Sequence, residues 1–271
     1  MPGSEKLEVG YAHYQRCMYA AVLGALTGRK SFRGSPEGIL AMCRQVKHLW
    51  VQQLDGLMEV GWPPLIANGP RLSYMKNCPY FGVTYPKGKR LRPCGRPRIC
   101  PFCWGRMFTA QVYLRTIAAM EQIRADGDIP YVITFQYRIR YSKFGAEPAP
   151  SPKDLVARIR AEAGERHTEL EQIPHCGSFL LHKIEPYDHD VYFSRGGVLV
   201  ARGRRALPRL EDTRLRSYRS PQPKLLVSIV AGATRYPGAL LLADSKEVCG
   251  ILEETQHTRT VAFSGLLRKP L

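Results

Sequence analysis

The sequence predicts an α+β fold in which helices flank a central antiparallel sheet. Three observations support this class: helical patterns come first, a compact cysteine-rich segment follows, and mixed strand and helix patterns continue to the end of the chain. This order is typical of α+β proteins, whose helices are segregated from a single sheet. We therefore divide the chain into a helical N-terminal region (1–70), a four-cysteine zinc-binding module (71–106) and an α+β domain (107–271).

The N-terminal region carries two helical patterns. The first, in "YAHYQRCMYAAVLGALTG" (11–28), has apolar residues at helical spacing. In the second, Ser35 is a candidate N-cap, Pro36 takes the first helical position, and an apolar stripe runs from Ile39 to Trp50. The segment "WPPLIANGP" then interrupts regular structure before the cysteines.

The α+β domain opens with a helix and a strand. The helix is predicted in "RMFTAQVYLRTIAAMEQIRADGD", and the strand in "IPYVITFQYRIRYSK", where aromatic and β-branched residues alternate with Arg138 and Arg140. Ser151 opens a further helix that runs to about Ile173. The remaining predicted elements are strands in "CGSFLLHKIEP" and "VYFSRGGVLVA", a buried strand or a helix in "LLVSIVAGA", a helix in "DSKEVCGILEET" and a final strand in "RTVAFSGLLRK".

The net charge indicates a polyanionic partner. The chain has 40 lysines and arginines against 23 aspartates and glutamates, which gives a net charge of +17. Because cations that neutralise phosphates release condensed counterions, this excess favours nucleic acid over an acidic membrane surface. One basic cluster runs from Arg202 to Arg219 and is either a solvated loop or a nucleic-acid-binding arm. The other lies in the cysteine segment and comprises Lys87, Lys89, Arg90, Arg92, Arg96 and Arg98.

The N-terminus and the hydropathy predict a cytoplasmic protein with no membrane partner. The first ten residues mix both charge signs, and the apolar run "CMYAAVLGAL" is short. No window reaches the roughly 18 to 20 apolar residues that span a bilayer. Since thiols stay reduced in the cytoplasm, structural disulfides are not expected, and the clustered cysteines need another role.

Four cysteines have the spacing of a structural zinc site, Cys78-x15-Cys94-x5-Cys100-x2-Cys103. A Cys-x2-Cys turn brings two thiolates to one ion, and a second pair completes the tetrahedron that Zn²⁺ prefers. The alternatives are a redox Cys-x2-Cys motif, which needs no second pair, and unrelated buried thiols. A site with four protein ligands has no open position for substrate, so we predict that zinc shapes the chain and does not catalyse.

Several short segments resemble plasmid rolling-circle replication initiator proteins. They are "CGRPRICPFCWGR" with the helix and strand after it, "SFLLHKIEP", and the C-terminal "HTRTVAFSGLLRK". The resemblance covers roughly residues 78–269 and implies a DNA-binding endonuclease of plasmid replication, acting on single-stranded DNA or an origin duplex. In that family, a divalent metal on a histidine–hydrophobic–histidine strand polarises a phosphodiester, and a tyrosine attacks it to form a covalent link to DNA.

The resemblance also implies catalytic residues. Tyr236 is the candidate nucleophile, and Glu185, assisted by His182, is the candidate partner of a Mg²⁺ or Mn²⁺ ion. The strand expected to carry the histidine pair has Ser-Arg-Gly-Gly at 194–197 instead. His182 and Glu185 should also point to opposite faces of their strand, because their separation is odd. Three functions remain open: a DNA-nicking enzyme, a nuclease-dead DNA-binding module, and a zinc-ribbon protein acting in transcription or on RNA.

Overall fold

The computed structural model describes residues 36–62, 75–78, 94–96, 100–142, 151, 153–158, 161, 170, 172–186, 190–204, 207, 213–255 and 261–268. The helix predicted at 11–28 lies outside these residues. The described residues divide into two compact units. The first unit contains the described residues that precede Val112, together with Arg235–Cys249. The second unit contains the described residues within Val112–Thr234 and Gly250–Leu271.

The elements follow the predicted order of helix first and mixed structure afterwards. The helices are α1 (Pro36–Glu59), α2 (Pro101–Trp104), α3 (Ala110–Ala125), α4 (Pro223–Ala233) and α5 (Ser245–Thr255), with a π-helical turn at Gly105–Thr109 and a 3-10 turn at Gly238–Leu241. The strands are β1 (Pro130–Ser142), β2 (Gly177–Pro186), β3 (Asp190–Arg202), β4 (Thr213–Arg219) and β5 (Val261–Gly265). Residues 153–158 are also helical. The α+β class is therefore confirmed.

The five strands form one antiparallel sheet in the second unit, in the order β4-β1-β3-β2-β5. β1 and β2 both run antiparallel to β3, so they are parallel to each other, with the helical residues 153–158 between them in sequence. The register places even-numbered residues of β1, β3 and β4 on one side, together with odd-numbered residues of β2 and β5. We call this side face A and the opposite side face B.

Face B carries an apolar core. Buried side chains from β1, β2 and β3 pack there against Leu170 and Ile173, which precede β2. The helix predicted to begin at Ser151 has the expected N-cap: the Ser151 hydroxyl accepts a hydrogen bond from the Asp154 N–H at 3.2 Å and donates one to the Asp154 carboxylate at 2.7 Å. Such an N-cap satisfies amide groups that the first helical turn leaves without partners.

Two segments that were ambiguous in sequence take definite forms. "LLVSIVAGA" belongs to helix α4, which starts with Pro223 at its first position and buries Leu226 and Val230 while Ser228 is exposed. The second half of the predicted basic arm is not irregular but forms the edge strand β4, because Leu215 packs against the face B core while its neighbours alternate to face A. No helix in the described part of the chain combines the length and apolar character needed to cross a membrane.

Candidate metal centre and nucleic-acid interface

Cys78, Cys94, Cys100 and Cys103 converge in the first unit. Their sulfur atoms all lie within 4.8 Å of one another, and none is in a disulfide. Cys103 Sγ is 3.6 Å from Cys78 Sγ and 3.4 Å from Cys94 Sγ. Four sulfurs bound at about 2.3 Å to a central ion would lie about 3.8 Å apart at the corners of a tetrahedron. The cluster is therefore compact enough to bind one metal ion.

Short backbone turns position these sulfurs. Cys100 is the N-cap of α2, followed by Pro101 at the first helical position, and its carbonyl accepts a hydrogen bond from the Trp104 N–H at 2.9 Å. Cys103 therefore lies in the first turn of the same helix. Next to Cys94, Gly95 has a φ of +68°. This left-handed conformation costs other L-residues about 1–2 kcal/mol, so the turn requires glycine.

Four thiols at this distance cannot all ionise without a cation. Burial, followed by the neighbouring sulfurs, raises the pKa of the Cys100 thiol. Hydrogen bonds from Cys100, Cys78 and Cys94 lower the pKa of Cys103. Hydrogen bonding, with Cys100 as the largest contributor, also lowers the pKa of Cys78, so more than one thiol of the cluster is favoured as a thiolate. A bound cation would allow all four to be thiolates, and a set of four soft sulfur donors in a tetrahedron suits Zn²⁺.

Helix α1 places a positive charge beside the cluster. Lys47 Nζ donates a hydrogen bond to the Cys78 carbonyl at 3.0 Å and lies 5.6 Å from the centre of the Phe102 ring. Burial lowers the pKa of Lys47, while the negative charges of Cys78, Cys100 and Cys94 oppose that shift. Lys47 thus partly balances thiolate charge. Sequence reasoning missed it, because nothing in the pattern of α1 links this lysine to cysteines that follow much later in the chain.

Tyr236, the predicted nucleophile, lies in the interior. Its side chain is 1% exposed, and its ring meets Trp104 edge-on with the centroids 5.5 Å apart. Burial, and secondarily the charge of Cys100, raises the pKa of the phenol well above its usual value. A nucleophilic phenol must lose its proton and reach a phosphorus atom. This placement disfavours both steps, and the catalytic assignment stays a prediction.

Glu185, the other predicted catalytic residue, lies buried on face A of β2. It accepts a hydrogen bond from the Ser194 hydroxyl at 3.3 Å. His182 lies on face B, with its ring 5.8 Å from that of Phe193. The odd separation of His182 and Glu185 does place them on opposite faces. Apart from the four cysteines, the described residues contain no group of three or more His, Cys, Asp or Glu side chains that converge on one point.

Close packing fills the positions at which the family resemblance implies metal-binding histidines. A Cβ atom on Gly196 would lie 2.8 Å from the carbonyl oxygen of Ala233 in α4, and one on Gly197 would overlap the Phe135 ring. The carbonyl oxygen of Phe179 in β2 is also too close to a Cβ on Gly197, so a side chain of any size at these positions requires α4, β2 or the Phe135 ring to move. Histidines at Gly196 and Gly197 would therefore not fit without a rearrangement of these neighbours.

The predicted DNA-binding residues are described only in part. Arg96 is half-buried near the cysteine cluster. Lys87, Lys89, Arg90, Arg92 and Arg98 lie outside the described residues. In the predicted arm, Arg202 belongs to β3 and forms ion pairs with Asp126 and Asp128, at 2.5 Å and 3.0 Å. Its charge is therefore already balanced within the second unit.

Exposed arginines lie together on face A of the second unit. We call Arg138 and Arg140 of β1 and Arg214 and Arg216 of β4 the basic face; all four are exposed. Arg140 donates to Asp190 at 2.9 Å, and the Arg138 guanidinium lies 3.9 Å from the centre of the Tyr192 ring. No described residue pairs with Arg214 or Arg216. The period-two patterns "YRIRY" and "TRLRSYR" are the sequence signal that would have identified this surface.

Comparison of the chain with protein-family models, curated proteins and solved structures finds no match. Function is therefore inferred from the cysteine cluster, the basic face and the short segments that carry the family resemblance.

Proposed function

We propose that the protein binds DNA in the manner of a rolling-circle replication initiator, and that a structural Zn²⁺ in the four-cysteine cluster stabilises its first unit. The observation that carries the proposal of DNA binding is the basic face. Guanidinium groups bind phosphate through paired N–H donors, and arginine is the residue best suited to that geometry.

The basic face differs from an ordinary charged surface in two respects. Its four arginines come from two strands that pair with each other, and all four belong to face A. Arg214 and Arg216 have no ionic partner among the described residues, so phosphate binding there breaks no described ion pair. Arg140, in contrast, would have to share its charge with Asp190. The net charge of +17 supports the same partner.

Zinc is the metal we propose because the ligands are four sulfur atoms. A closed tetrahedron of protein ligands leaves no position for water or substrate, and such sites contribute to folding. The residues that would hold the ion are Cys78, Cys94, Cys100 and Cys103, with Lys47 as a nearby counter-charge. The ion would join the turn at Cys78 to the start of α2.

Strand nicking is not part of the proposal. The phenol of Tyr236 is enclosed, and Gly196 and Gly197 leave no room for a histidine pair. A DNA-binding protein without nuclease activity is therefore the form of the hypothesis that the geometry supports best. A zinc-ribbon protein acting on RNA would present similar charges, so RNA must be one of the ligands tested.

The proposal is tested by fluorescence anisotropy with labelled single-stranded DNA, duplex DNA and RNA at several salt concentrations. The logarithm of the affinity should fall with the logarithm of salt concentration, with a slope of about −0.7 to −0.9 for each phosphate contact. Arg138→Gln and Arg216→Gln should each weaken binding and reduce that slope by about 1.

Arg219→Gln is the matched control, because Arg219 is exposed on the same strand as Arg216 but belongs to face B. It should leave affinity nearly unchanged. A DNA affinity that is independent of salt concentration, or equal losses of affinity in all three variants, would contradict the role of the basic face. Stronger binding to RNA than to either form of DNA would favour the RNA-binding alternative.

A further inference from the structure

A cavity of about 290 Å³ opens beside the basic face, between the β1–β4 strand pair and helix α4. Its sheet side is lined by Arg214, Arg216 and Tyr218 of β4 and by Gln136 of β1. Ser228 and Gly232 line the side formed by α4. All of these residues belong to the second unit. The volume lies just below the range of about 300–1,000 Å³ typical of pockets that bind small molecules.

The polar lining matches the chemistry of a phosphate ester. Arg214 and Arg216 alternate on face A, so their Cα atoms are about 6.8 Å apart and both guanidinium groups can approach one phosphate or two successive ones. Gln136 lies directly opposite Arg214, and Thr134 lies directly opposite Arg216. These amide and hydroxyl groups add neutral hydrogen-bonding capacity beside the charges. The lining contains no acidic residue that would repel an anion.

Tyr218 adds an aromatic surface to the same row. It follows Arg216 by two residues, so it lies on face A, where it is half-buried and lines the cavity. Aromatic rings bind unpaired bases by stacking, and every base has a face that can stack. A base within a duplex is already stacked and paired, and it would have to leave the helix to enter this cavity.

Charged residues on an edge strand also have a protective role, because they prevent pairing with other strands. Arg214 and Arg216 are placed differently from a purely protective charge. They project from face A towards the cavity, whereas the unpaired backbone groups of β4 lie along its outer edge. Protection of the edge also gives no reason for Tyr218 and Gln136 to line the same cavity.

We propose that this cavity holds one unpaired nucleotide, with its phosphate on Arg214 and Arg216 and its base against Tyr218. The inference rests on the proposed function and narrows it, since it assigns a preference for single strands to a particular site. The nucleotide is part of a DNA strand or a free nucleoside phosphate, and the two sources share the chemistry that the cavity recognises.

The test measures the affinity of the full chain for labelled oligo-dT, for a duplex of equal length and for thymidine monophosphate. The monophosphate is added as a competitor and is also titrated directly by calorimetry. Tyr218→Ala should weaken oligo-dT binding about 5- to 150-fold, the range expected for loss of one base stack. Tyr218→Phe keeps the ring and should bind within about twofold of wild type. The Tm of Tyr218→Ala, measured by circular dichroism, separates loss of stacking from loss of folding.

Arg214→Gln with Arg216→Gln should weaken oligo-dT binding much more than Arg219→Gln does. If only the affinity for oligo-dT depends on these residues, the cavity holds a nucleotide within a strand. If the affinity for the monophosphate depends on them as well, the cavity also accepts the free nucleotide. The proposal would be overturned if Tyr218→Ala and Arg219→Gln lowered the affinity for oligo-dT equally. It would also be overturned if Tyr218→Ala lowered the affinities for duplex and for oligo-dT equally.

The same measurements separate this proposal from the proposed function. Absence of DNA binding by wild type, with monophosphate binding that depends on Arg216, would remove the proposed function and keep the cavity. Salt-dependent DNA binding that is weakened by Arg138→Gln and Arg216→Gln, but is unchanged in Tyr218→Ala and equal for duplex and oligo-dT, would keep the proposed function and remove the cavity.

Discussion

Loss of metal from the cysteine cluster should destabilise the protein measurably, and Cys103→Ser is the most direct perturbation. Cys103 Sγ is within 3.6 Å of two of the other three sulfurs, so its removal opens the centre of the cluster. Two buried sulfur ligands and the half-buried Cys94 would remain, with a weaker hydroxyl donor in the fourth position. We expect zinc affinity to fall sharply in this variant.

The size of the effect follows from linkage between binding and folding. A ligand that binds only the folded chain at 1,000 times its dissociation constant stabilises it by about 4 kcal/mol. For a cooperative unit of about 150 to 250 residues, each 1 kcal/mol shifts Tm by about 2–4 °C. Chelation of zinc, or Cys103→Ser, should therefore lower Tm by about 8–16 °C.

The assay combines metal analysis with thermal unfolding followed by circular dichroism under reducing conditions. Wild type should contain one zinc per chain and lose stability in the presence of a chelator, and added zinc should restore it. Protons compete with zinc for thiolates, so the stabilisation by zinc should be present at neutral pH and lost as pH falls. Cys103→Ser should show neither response.

Cys176→Ser is the matched control, because Cys176 is a free, half-buried thiol outside the cluster. It should keep one zinc per chain and the full response to chelator. Wild-type protein that contains no zinc after purification in reducing buffer, or whose Tm is the same with and without chelator, would refute the assignment of a structural metal.

Two further predictions concern β3 and Tyr236. Gly196→Ala should lower the free energy of unfolding in urea by about 1–3 kcal/mol, because its Cβ would press on the Ala233 carbonyl. Gly232→Ala is the control: its Cβ would meet open space in α4, so it should be neutral or slightly stabilising. Equal stabilities of the two variants would show that α4 shifts to accommodate the added methyl group at no cost. Tyr236→Phe should leave DNA affinity unchanged, and neither it nor wild type should form a covalent DNA adduct with Mg²⁺ or Mn²⁺. An adduct formed by wild type and lost in Tyr236→Phe would reinstate the nicking enzyme.

The sequence by itself was sufficient to predict the features that depend on residues close together in the chain. Period-two alternation predicted β1, the N-cap at Ser151 marked the start of a helical segment, and cysteine spacing identified four sulfurs that do converge. These features are predictable because neighbours along the chain determine them: a Cys-x2-Cys turn at a helix start brings two ligands together whatever the rest of the chain does. The excess of positive charge is likewise a property of composition.

Only the tertiary structure decided which distant residues share a surface and which are enclosed. Arg138 and Arg216 are far apart in sequence, and they share face A because β4 pairs with β1 rather than with β3. Tyr236 had a plausible position for a nucleophile in the sequence, yet it packs against Trp104 in the interior. The physical reason is that strand pairing and burial depend on contacts between residues far apart in the chain, and a pattern read along one segment carries no information about them.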